Sequence, residues 1–293
     1  MPSHENEHWD AIVIGSGMGG MAAAAALSHV GHKVLLLEQH QTLGGLTHSF
    51  SRDGFTWDVG VHYLSEMAPG DRARALLDWL SDTPMEFAPL GSVYDTLHIG
   101  DADPLSLTRP YEAQEMDLKD RYPDQAKAIE AWTRALREGH EAMYKIFPTR
   151  AMPEIAGDVL DWWNRHAISK WCARTTKEVI DDLTDNPELA AVMAAQWGDH
   201  GGRPSKASFA MHALIAGAYL PSGAWYPVGG AAAYAAHIIP TITKHGGEAR
   251  AGVRVDRLLF DSDAVVGVRT DDGTEIYATS VISDVGARET IDT

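Results

Sequence analysis

The stretch DAIVIGSGMGGMAAAAALSHVGHKVLLLE, from Asp10 to Glu38, decides the fold of the N-terminal part of this chain. An apolar strand over 10–14 runs directly into a glycine turn. An alanine-rich helix over 18–30 follows, and a second apolar strand over 33–37 ends at Glu38. This order of strand, glycine turn, helix and strand is the dinucleotide fingerprint of a βαβ unit. We therefore predict an α/β fold with a doubly wound parallel sheet of the Rossmann type.

The glycines of this turn have separate roles in the prediction. Gly15 turns the chain out of the strand, Gly17 lets a pyrophosphate approach the backbone, and Gly20 lets the helix pack against the strand. The N-terminus of the helix offers free N–H groups and a partial positive charge to phosphates. We predict backbone contacts to a pyrophosphate from six residues: Gly15, Ser16, Gly17, Met18, Gly19 and Gly20.

The acid at the end of the second strand is predicted to bind the ribose. The carboxylate of Glu38 can accept hydrogen bonds from both ribose hydroxyls, and it would repel a 2′-phosphate, which disfavours NADP. The alternative is a plain surface acid at a strand end. The βαβ unit by itself fits NAD and FAD equally well.

Composition restricts the partners. The 293 residues carry a formal net charge of −17, so nucleic acid is an unfavourable partner. A single cysteine, Cys172, excludes an intrachain disulfide, and the sequence shows no metal-ligand pattern. The polar start MPSHENEHWD lacks the apolar segment of a signal peptide, and no apolar run is long enough to span a bilayer. We expect a reducing, cytoplasmic setting and no metal.

The order of patterns along the chain predicts two domains. Residues 1–68 and 222–293 are predicted to form the dinucleotide domain, and residues 69–221 a mainly helical substrate domain. Within the insert we expect a short strand pair near 86–108, one helical stretch over 155–183 and a helix start at Asn186-Pro187. After the glycine turn at Gly229-Gly230, we expect a helix over 231–245 and then strands at 252–260, 264–269 and 274–283. We expect the last strand to break near Thr279, so that its second half returns to the parallel sheet.

Several stretches beyond the fingerprint resemble a known superfamily. EQHQTLGGLTHSF after the second strand resembles the FAD-dependent phytoene desaturase and amine oxidase superfamily. WYPVGG, HIIPTITKHGGEARAGVRVDRLLF and VVGVRTDDG follow in the order found there. WGDHGGRPSKASFAMHALIAGAYLPSGAWYPVGG and VISDVGARET resemble, more specifically, the all-trans-retinol 13,14-reductase (retinol saturase) and carotenoid-isomerase-like branch. Members of this family are considerably longer, so the resemblance implies an N-terminal fragment that lacks part of the flavin site.

The resemblance implies a cofactor, a reaction and further site residues. FAD is the implied cofactor, with Gln39 as a further cofactor-binding residue, a second phosphate-side loop at Gly44, Gly45, Leu46 and Thr47, and a backbone contact from Val255 to the adenine. The implied reaction is saturation, desaturation or isomerisation of a C=C bond in an apolar isoprenoid, retinoid or carotenoid substrate. No catalytic residue is assigned, and the redox partner is not specified by the sequence.

Alternatives remain open at this point. The protein could oxidise C–N bonds as a flavin amine oxidase, or bind a dinucleotide without catalysis as a truncated product. His62 is either a substrate-orienting group near the flavin or an ordinary structural histidine, with weaker cases for His200 and His212. Tryptophans of the helical part, Trp132, Trp162, Trp163 and Trp171, form either a helical core or the walls of a polyene tunnel. The Trp162-Trp163 pair also suggests peripheral membrane contact.

Overall fold

A computed structural model describes residues 8–150 and 152–292. The N-terminal residues 1–7, on which most of the signal-peptide argument rests, lie outside the described residues. The chain divides into two compact units. The first, here the sheet unit, comprises Met1–His62, Pro69–Ala88 and Tyr226–Thr293; the second, the helical unit, comprises Tyr63–Ala68 and Pro89–Trp225.

The sheet unit is built on a six-stranded mixed sheet. Its strands are β1 (His8–Ile14), β2 (Val34–Glu38), β9 (Glu248–Ala251), β10 (Val255–Asp261), β11 (Ala264–Thr270) and β12 (Glu275–Ser283). In space they are ordered β10-β11-β12-β1-β2-β9. The neighbours β12, β1, β2 and β9 run parallel, whereas β10, β11 and β12 form an antiparallel meander. The predicted Rossmann-type sheet is confirmed.

The flanking helices follow from the same sequence patterns. Helix α1 (Met18–His29) connects β1 to β2, and α10 (Ala233–Lys244) precedes β9. The five residues of β2 are all buried, as expected for a parallel strand with both faces covered. The loop at Gly44-Gly45, here the second glycine loop, is followed by a short hairpin of β3 (Ser49–Arg52) and β4 (Phe55–Asp58). Helix α11 (Ala287–Asp292) follows β12.

Two details of this sheet differ from the prediction. β12 is continuous and does not break near Thr279, because its partners change along an unbroken strand. It pairs antiparallel with β11 up to Tyr277 and parallel with β1 from Tyr277 to Ser283. Strand β9 was not predicted, since its sequence EARA has no apolar alternation; it forms by pairing with the buried β2.

Residues 69–88 depart from the predicted domain boundary and lie in the sheet unit. They contain α2 (Arg72–Leu80), whose C-terminal end is held by α10. The hydroxyl of Thr241 donates to the carbonyl of Leu80 at 2.9 Å, and the N–H of Asp82 donates to the carbonyl of His237 at 3.0 Å. The division into cofactor and substrate domains stays a prediction.

The helical unit buries one continuous apolar core. Its longer helices are α3 (Tyr111–Arg121), α4 (Ala126–Arg150), α5 (Glu154–Cys172), α7 (Pro187–Ala194) and α9 (Phe209–Ser222). α6 (Thr176–Asp181) and α8 (Trp197–His200) are shorter. The predicted strand pair is present as β6 (Val93–Leu97) and β7 (Leu105–Thr108), which are antiparallel. Two three-residue strands, β5 (Phe87–Pro89) and β8 (Trp225–Pro227), lie where the chain passes from one unit to the other.

Capping chemistry sets the boundaries of two helices here. Asn186 caps α7 as predicted, because its side chain accepts from the N–H groups of Glu188 and Leu189. The predicted single helix over 155–183 is wrong, since it is interrupted after Cys172. Thr175 and Glu178 form a capping box that starts α6 as a separate helix.

Candidate dinucleotide-binding site

A cavity of about 490 Å³ opens in the sheet unit beside the ends of β1, β2 and β12. These are the carboxyl ends of adjacent parallel strands, where ligands of doubly wound folds bind. The lining residues come from five segments: Ile14, Gly15 and Gly17; Leu37, Glu38 and Gln39; Gly45 and Leu46; Val253, Arg254, Val255 and Leu258; Ser283, Asp284, Val285, Glu289 and Thr290.

The first glycine turn can form because no side chain stands between β1 and α1. A Cβ on Gly20 would lie 1.9 Å from the carbonyl oxygen of Gly15, so only glycine fits where the helix meets the turn. The N–H of Gly15 donates to Leu37 at 2.8 Å. Among the described residues, the N–H groups of Gly17, Met18 and Gly19 have no hydrogen-bond acceptor, so these three amides are the ones available to a phosphate.

Glu38 and Ser16 form a buried pair below the turn. The N–H and the hydroxyl of Ser16 both donate to Oε2 of Glu38, at 2.8 and 2.7 Å, and the N–H of His40 donates to Oε1 at 2.8 Å. Burial acts to raise the pKa of Glu38, but the hydrogen bonds from His40 and Ser16 outweigh burial and hold that pKa below its ordinary value. Glu38 is therefore an anion at neutral pH and a hydrogen-bond acceptor only.

The second glycine loop packs directly on the first. A Cβ on Gly45 would lie 2.7 Å from the Cα of Gly17, so the two backbones touch. The N–H of Gly44 donates to the Ser16 hydroxyl at 2.9 Å, and the hydroxyl of Thr47 closes the loop by donating to the Gly44 carbonyl at 2.7 Å. The structure thus brings together two loops that are separate in the sequence.

Asp284 is a residue of the site that was not predicted from the sequence. It follows β12, and its Oδ2 accepts a hydrogen bond of 2.7 Å from the N–H of Gly20 at the start of α1. A Cβ on Gly19 would lie 2.6 Å from Oδ1 of Asp284, which places this carboxylate against the turn. Its position at the carboxyl end of a parallel strand next to β1 was the one available signal.

The predicted residues divide into two groups in the structure. Those that line the cavity are Gly15, Gly17, Glu38, Gln39, Gly45, Leu46 and Val255. Those that are not among the lining residues are Ser16, Met18, Gly19, Gly20, Gly44 and Thr47. Val255 begins β10, where its backbone pairs with Thr270, and its neighbour Arg254 is the one cationic residue of the lining, against Glu38, Asp284 and Glu289.

Two histidines of the helical unit form a directional hydrogen-bond chain. The N–H of Gly202 donates to Nδ1 of His200 at 3.3 Å, Nε2 of His200 lies 3.4 Å from Nδ1 of His212, and Nε2 of His212 lies 3.1 Å from the Met193 carbonyl. Only one assignment of protons fits both ends: each ring is neutral and carries its proton on Nε2. Burial, with the neighbouring His200, lowers the pKa of His212 to about 4. These hydrogen bonds explain the positions of both imidazole rings without a catalytic role.

The remaining aromatic and histidine candidates are placed as follows. Trp132 and Trp171 are buried and pack on Phe209, as a helical core requires. The cavity beside Trp132 holds about 20 Å³, which is too small for a polyene. Trp162 and Trp163 are 63 % and 77 % exposed. His62 is exposed and is not among the residues that line the cavity of the sheet unit.

The described residues contain neither a metal-binding cluster nor a membrane-spanning helix. No group of three or more histidine, cysteine, aspartate or glutamate residues in that part of the chain could hold a metal ion. None of the described helices combines the length and the apolarity that crossing a bilayer requires.

The chain is similar in sequence to a Rossmann-like family model and to curated proteins. A family model described as an NAD(P)-binding Rossmann-like domain matches residues 13–80. An all-trans-retinol 13,14-reductase of Danio rerio is 35% identical over 297 residues, which cover 98% of this chain and 49% of that protein. A chloroplastic prolycopene isomerase of an Oncidium hybrid cultivar is 26% identical over 298 residues, covering 96% and 49%.

The solved structures share the fold. A wild-type putrescine oxidase bound to putrescine has a TM-score of 0.62 at 18% sequence identity, over 94% of this chain and 57% of that one. The chain spans about half the length of the curated relatives it matches. The curated relatives confirm the similarity to all-trans-retinol 13,14-reductases and to carotenoid isomerases that the sequence motifs predicted.

Proposed function

We propose that this chain binds FAD in the cavity of the sheet unit and serves an oxidoreductase that acts on a C=C bond of an apolar isoprenoid, retinoid or carotenoid. The observation that carries the cofactor proposal is the convergence of Gly17, Glu38, Gly45 and Val255 on one cavity. The reaction class is proposed from the relative named all-trans-retinol 13,14-reductase, which matches 98% of this chain.

The residues present fit a dinucleotide. Three amides at the start of α1, those of Gly17, Met18 and Gly19, have no acceptor among the described residues and can donate to a pyrophosphate, and Glu38 offers an anionic acceptor to a ribose. The contact between Gly45 and Gly17 favours FAD over NAD, because the βαβ unit alone does not require a second glycine loop against the first.

The chain's own residues have a limited chemical task. FAD, when bound, supplies the hydride and electron transfer. Glu38 holds the ribose, the amides of Gly17, Met18 and Gly19 take phosphate oxygens, and the apolar side chains of Leu46 and Val255 exclude water along the cavity. This division explains why neither an acid–base pair nor an activated nucleophile is needed among the residues of the cavity.

The proposal includes the setting of the reaction. The substrate is an apolar small molecule and not a nucleic acid, since the formal net charge of −17 repels polyanions. The exposed Trp162 and Trp163 would provide peripheral membrane contact in an otherwise cytoplasmic protein. The proposal assigns no redox partner, since saturation and desaturation need partners of opposite kinds.

Flavin binding tests the cofactor proposal. The purified chain is titrated with FAD and with NADH, and flavin fluorescence quenching and the visible absorption spectrum are recorded. We expect FAD to bind more tightly than NADH, and Glu38→Arg to weaken FAD binding by at least about tenfold through loss of a charged hydrogen bond. Ser28→Ala is the control, because Ser28 is buried in α1 and its hydroxyl donates to the Ala24 carbonyl rather than to any residue of the cavity. Tighter binding of NADH would contradict the FAD assignment.

Reoxidation of the reduced flavoprotein tests the reaction class. The FAD-loaded chain is reduced anaerobically, and all-trans-retinol or an all-trans carotenoid is added. Flavin reoxidation with a product changed at one C=C bond would support the proposal. Reduction of the oxidised flavin by putrescine, with no response to polyenes, would favour the amine oxidase alternative. A colourless chain that retains no flavin would favour the non-catalytic alternative.

A further inference from the structure

We propose that Ser16 is a positioning residue that restricts Glu38 to a single ribose hydroxyl. The inference rests on the proposed dinucleotide function and deepens it. The sequence alone suggested that the carboxylate accepts both hydroxyls of the ribose, as an unoccupied carboxylate could. The structure shows this carboxylate already engaged by the chain.

The geometry around Glu38 leaves little acceptor capacity. Both donors of Ser16, its N–H at 2.8 Å and its hydroxyl at 2.7 Å, use the same oxygen, Oε2. The N–H of His40 uses Oε1 at 2.8 Å. A carboxylate has about four lone-pair sites, two on each oxygen. Oε2 is therefore filled, and Oε1 has one site left for a ligand.

The hydrogen bond from the Ser16 hydroxyl to Glu38 is costly to break. The side chain of Ser16 is fully buried, and its hydroxyl has one proton, which is donated to Glu38. The same oxygen accepts the N–H of Gly44 at 2.9 Å. Rotating the Ser16 side chain away from Glu38 would leave the hydroxyl proton of Ser16 and the N–H of Gly44 without acceptors in a buried place, which costs more than a ribose hydrogen bond returns.

Ser16 thus connects three parts of the site. It is in the first glycine turn, it orients the acid of β2, and it fixes the second glycine loop through Gly44. The consequence is chemical selectivity at the ribose: one hydroxyl meets a charged acceptor, and the other does not.

Deoxy analogues of ADP test this count. Isothermal titration measures the dissociation constants of ADP, 2′-deoxy-ADP and 3′-deoxy-ADP for the wild-type chain. We expect one analogue to bind at least about tenfold more weakly than ADP and the other to bind within about twofold of it. Similar losses for both analogues, or no loss for either, would overturn the inference while leaving the dinucleotide site in place. No binding of ADP would contradict the dinucleotide proposal itself, and this inference with it.

A variant of Ser16 provides the second measurement. Ser16→Ala removes the hydroxyl and frees one lone pair on Oε2, so we expect both deoxy analogues to bind about tenfold more weakly than ADP to this variant. A purely structural role of Ser16 would weaken all three ligands equally and keep the wild-type difference between the analogues. Ser28→Ala, which removes another buried hydroxyl of the same unit, should keep the wild-type pattern.

Discussion

Asp284 supplies a carboxylate at the helix end that the sequence assigns to a phosphate. Its hydrogen bond to the N–H of Gly20 satisfies one of the free donors at the start of α1. It also places a negative charge beside the amides that would receive a pyrophosphate. Two effects of this residue, on stability and on binding, therefore have opposite signs.

Two variants of Asp284 separate these effects. Asp284→Asn keeps an acceptor and removes the charge, so FAD should bind about two- to fivefold more tightly, the range for one charge at a helix terminus. Asp284→Ala also removes the acceptor and should lower the free energy of unfolding by about 1 kcal/mol. Thermal melts and FAD titrations of both variants measure the two effects. Weaker FAD binding by Asp284→Asn would show that the carboxylate supports the cofactor.

His212 makes the stability of the helical unit depend on pH. Its pKa is lowered to about 4 in the folded chain by burial and by His200, against about 6.5 in an unfolded chain. As pH falls below about 6.5 the unfolded chain takes up a proton that the folded chain refuses, so stability is present above that pH and is lost towards pH 4. The loss should approach about 3 kcal/mol.

Denaturant unfolding between pH 7.5 and 4.5 measures this dependence. His212→Gln removes the titrating group while retaining an amide that can bond in the same place, so its unfolding free energy should fall less steeply over this interval. His245→Gln is a control outside the helical unit. An unchanged slope in His212→Gln would refute the assignment of the pH dependence to this ring.

The second glycine loop requires close approach of two backbone segments, at Gly45 and at Gly17. Gly45→Ala would place its Cβ 2.7 Å from the Cα of Gly17, and Gly45 has a φ of 54°. We expect this variant to bind FAD at least about tenfold more weakly, because loops displaced by about an ångström misplace the ligand. Gly54→Ala is the matched control: Gly54 has a φ of 83° but nothing within 4 Å of a Cβ. Its backbone strain without overlap should affect stability and leave FAD binding unchanged.

The charge of the whole molecule should govern how fast an anionic cofactor arrives. The chain carries a formal net charge of −17, and the cavity lining has three acids and one arginine. Salt screens this repulsion, with a Debye length of about 10 Å at 0.1 M ionic strength. The association rate of FAD in stopped-flow fluorescence should therefore rise about two- to tenfold from 0.01 to 0.15 M salt. A rate that falls with salt would indicate local attraction by Arg254.

The sequence by itself determined those elements that depend on interactions between neighbouring residues. The order of strand, glycine turn and helix at 10–38, the helix start at Asn186 and the turn at Gly44-Gly45 follow from neighbouring residues, so each was predictable. The family resemblance also came from short motifs, because those motifs retain their order along the chain.

Only the tertiary structure decided the contacts between distant segments. β9 has no strand pattern of its own and forms because buried β2 offers it hydrogen bonds, and β12 stays unbroken because β1 takes over where β11 ends. Asp284 reaches Gly20 across 264 positions, and Ser16 bonds both Glu38 and Gly44. Hydrogen bonds act over about 3 Å in space, whatever the separation along the chain, so the occupancy of the Glu38 carboxylate could be counted only once these segments had been placed together.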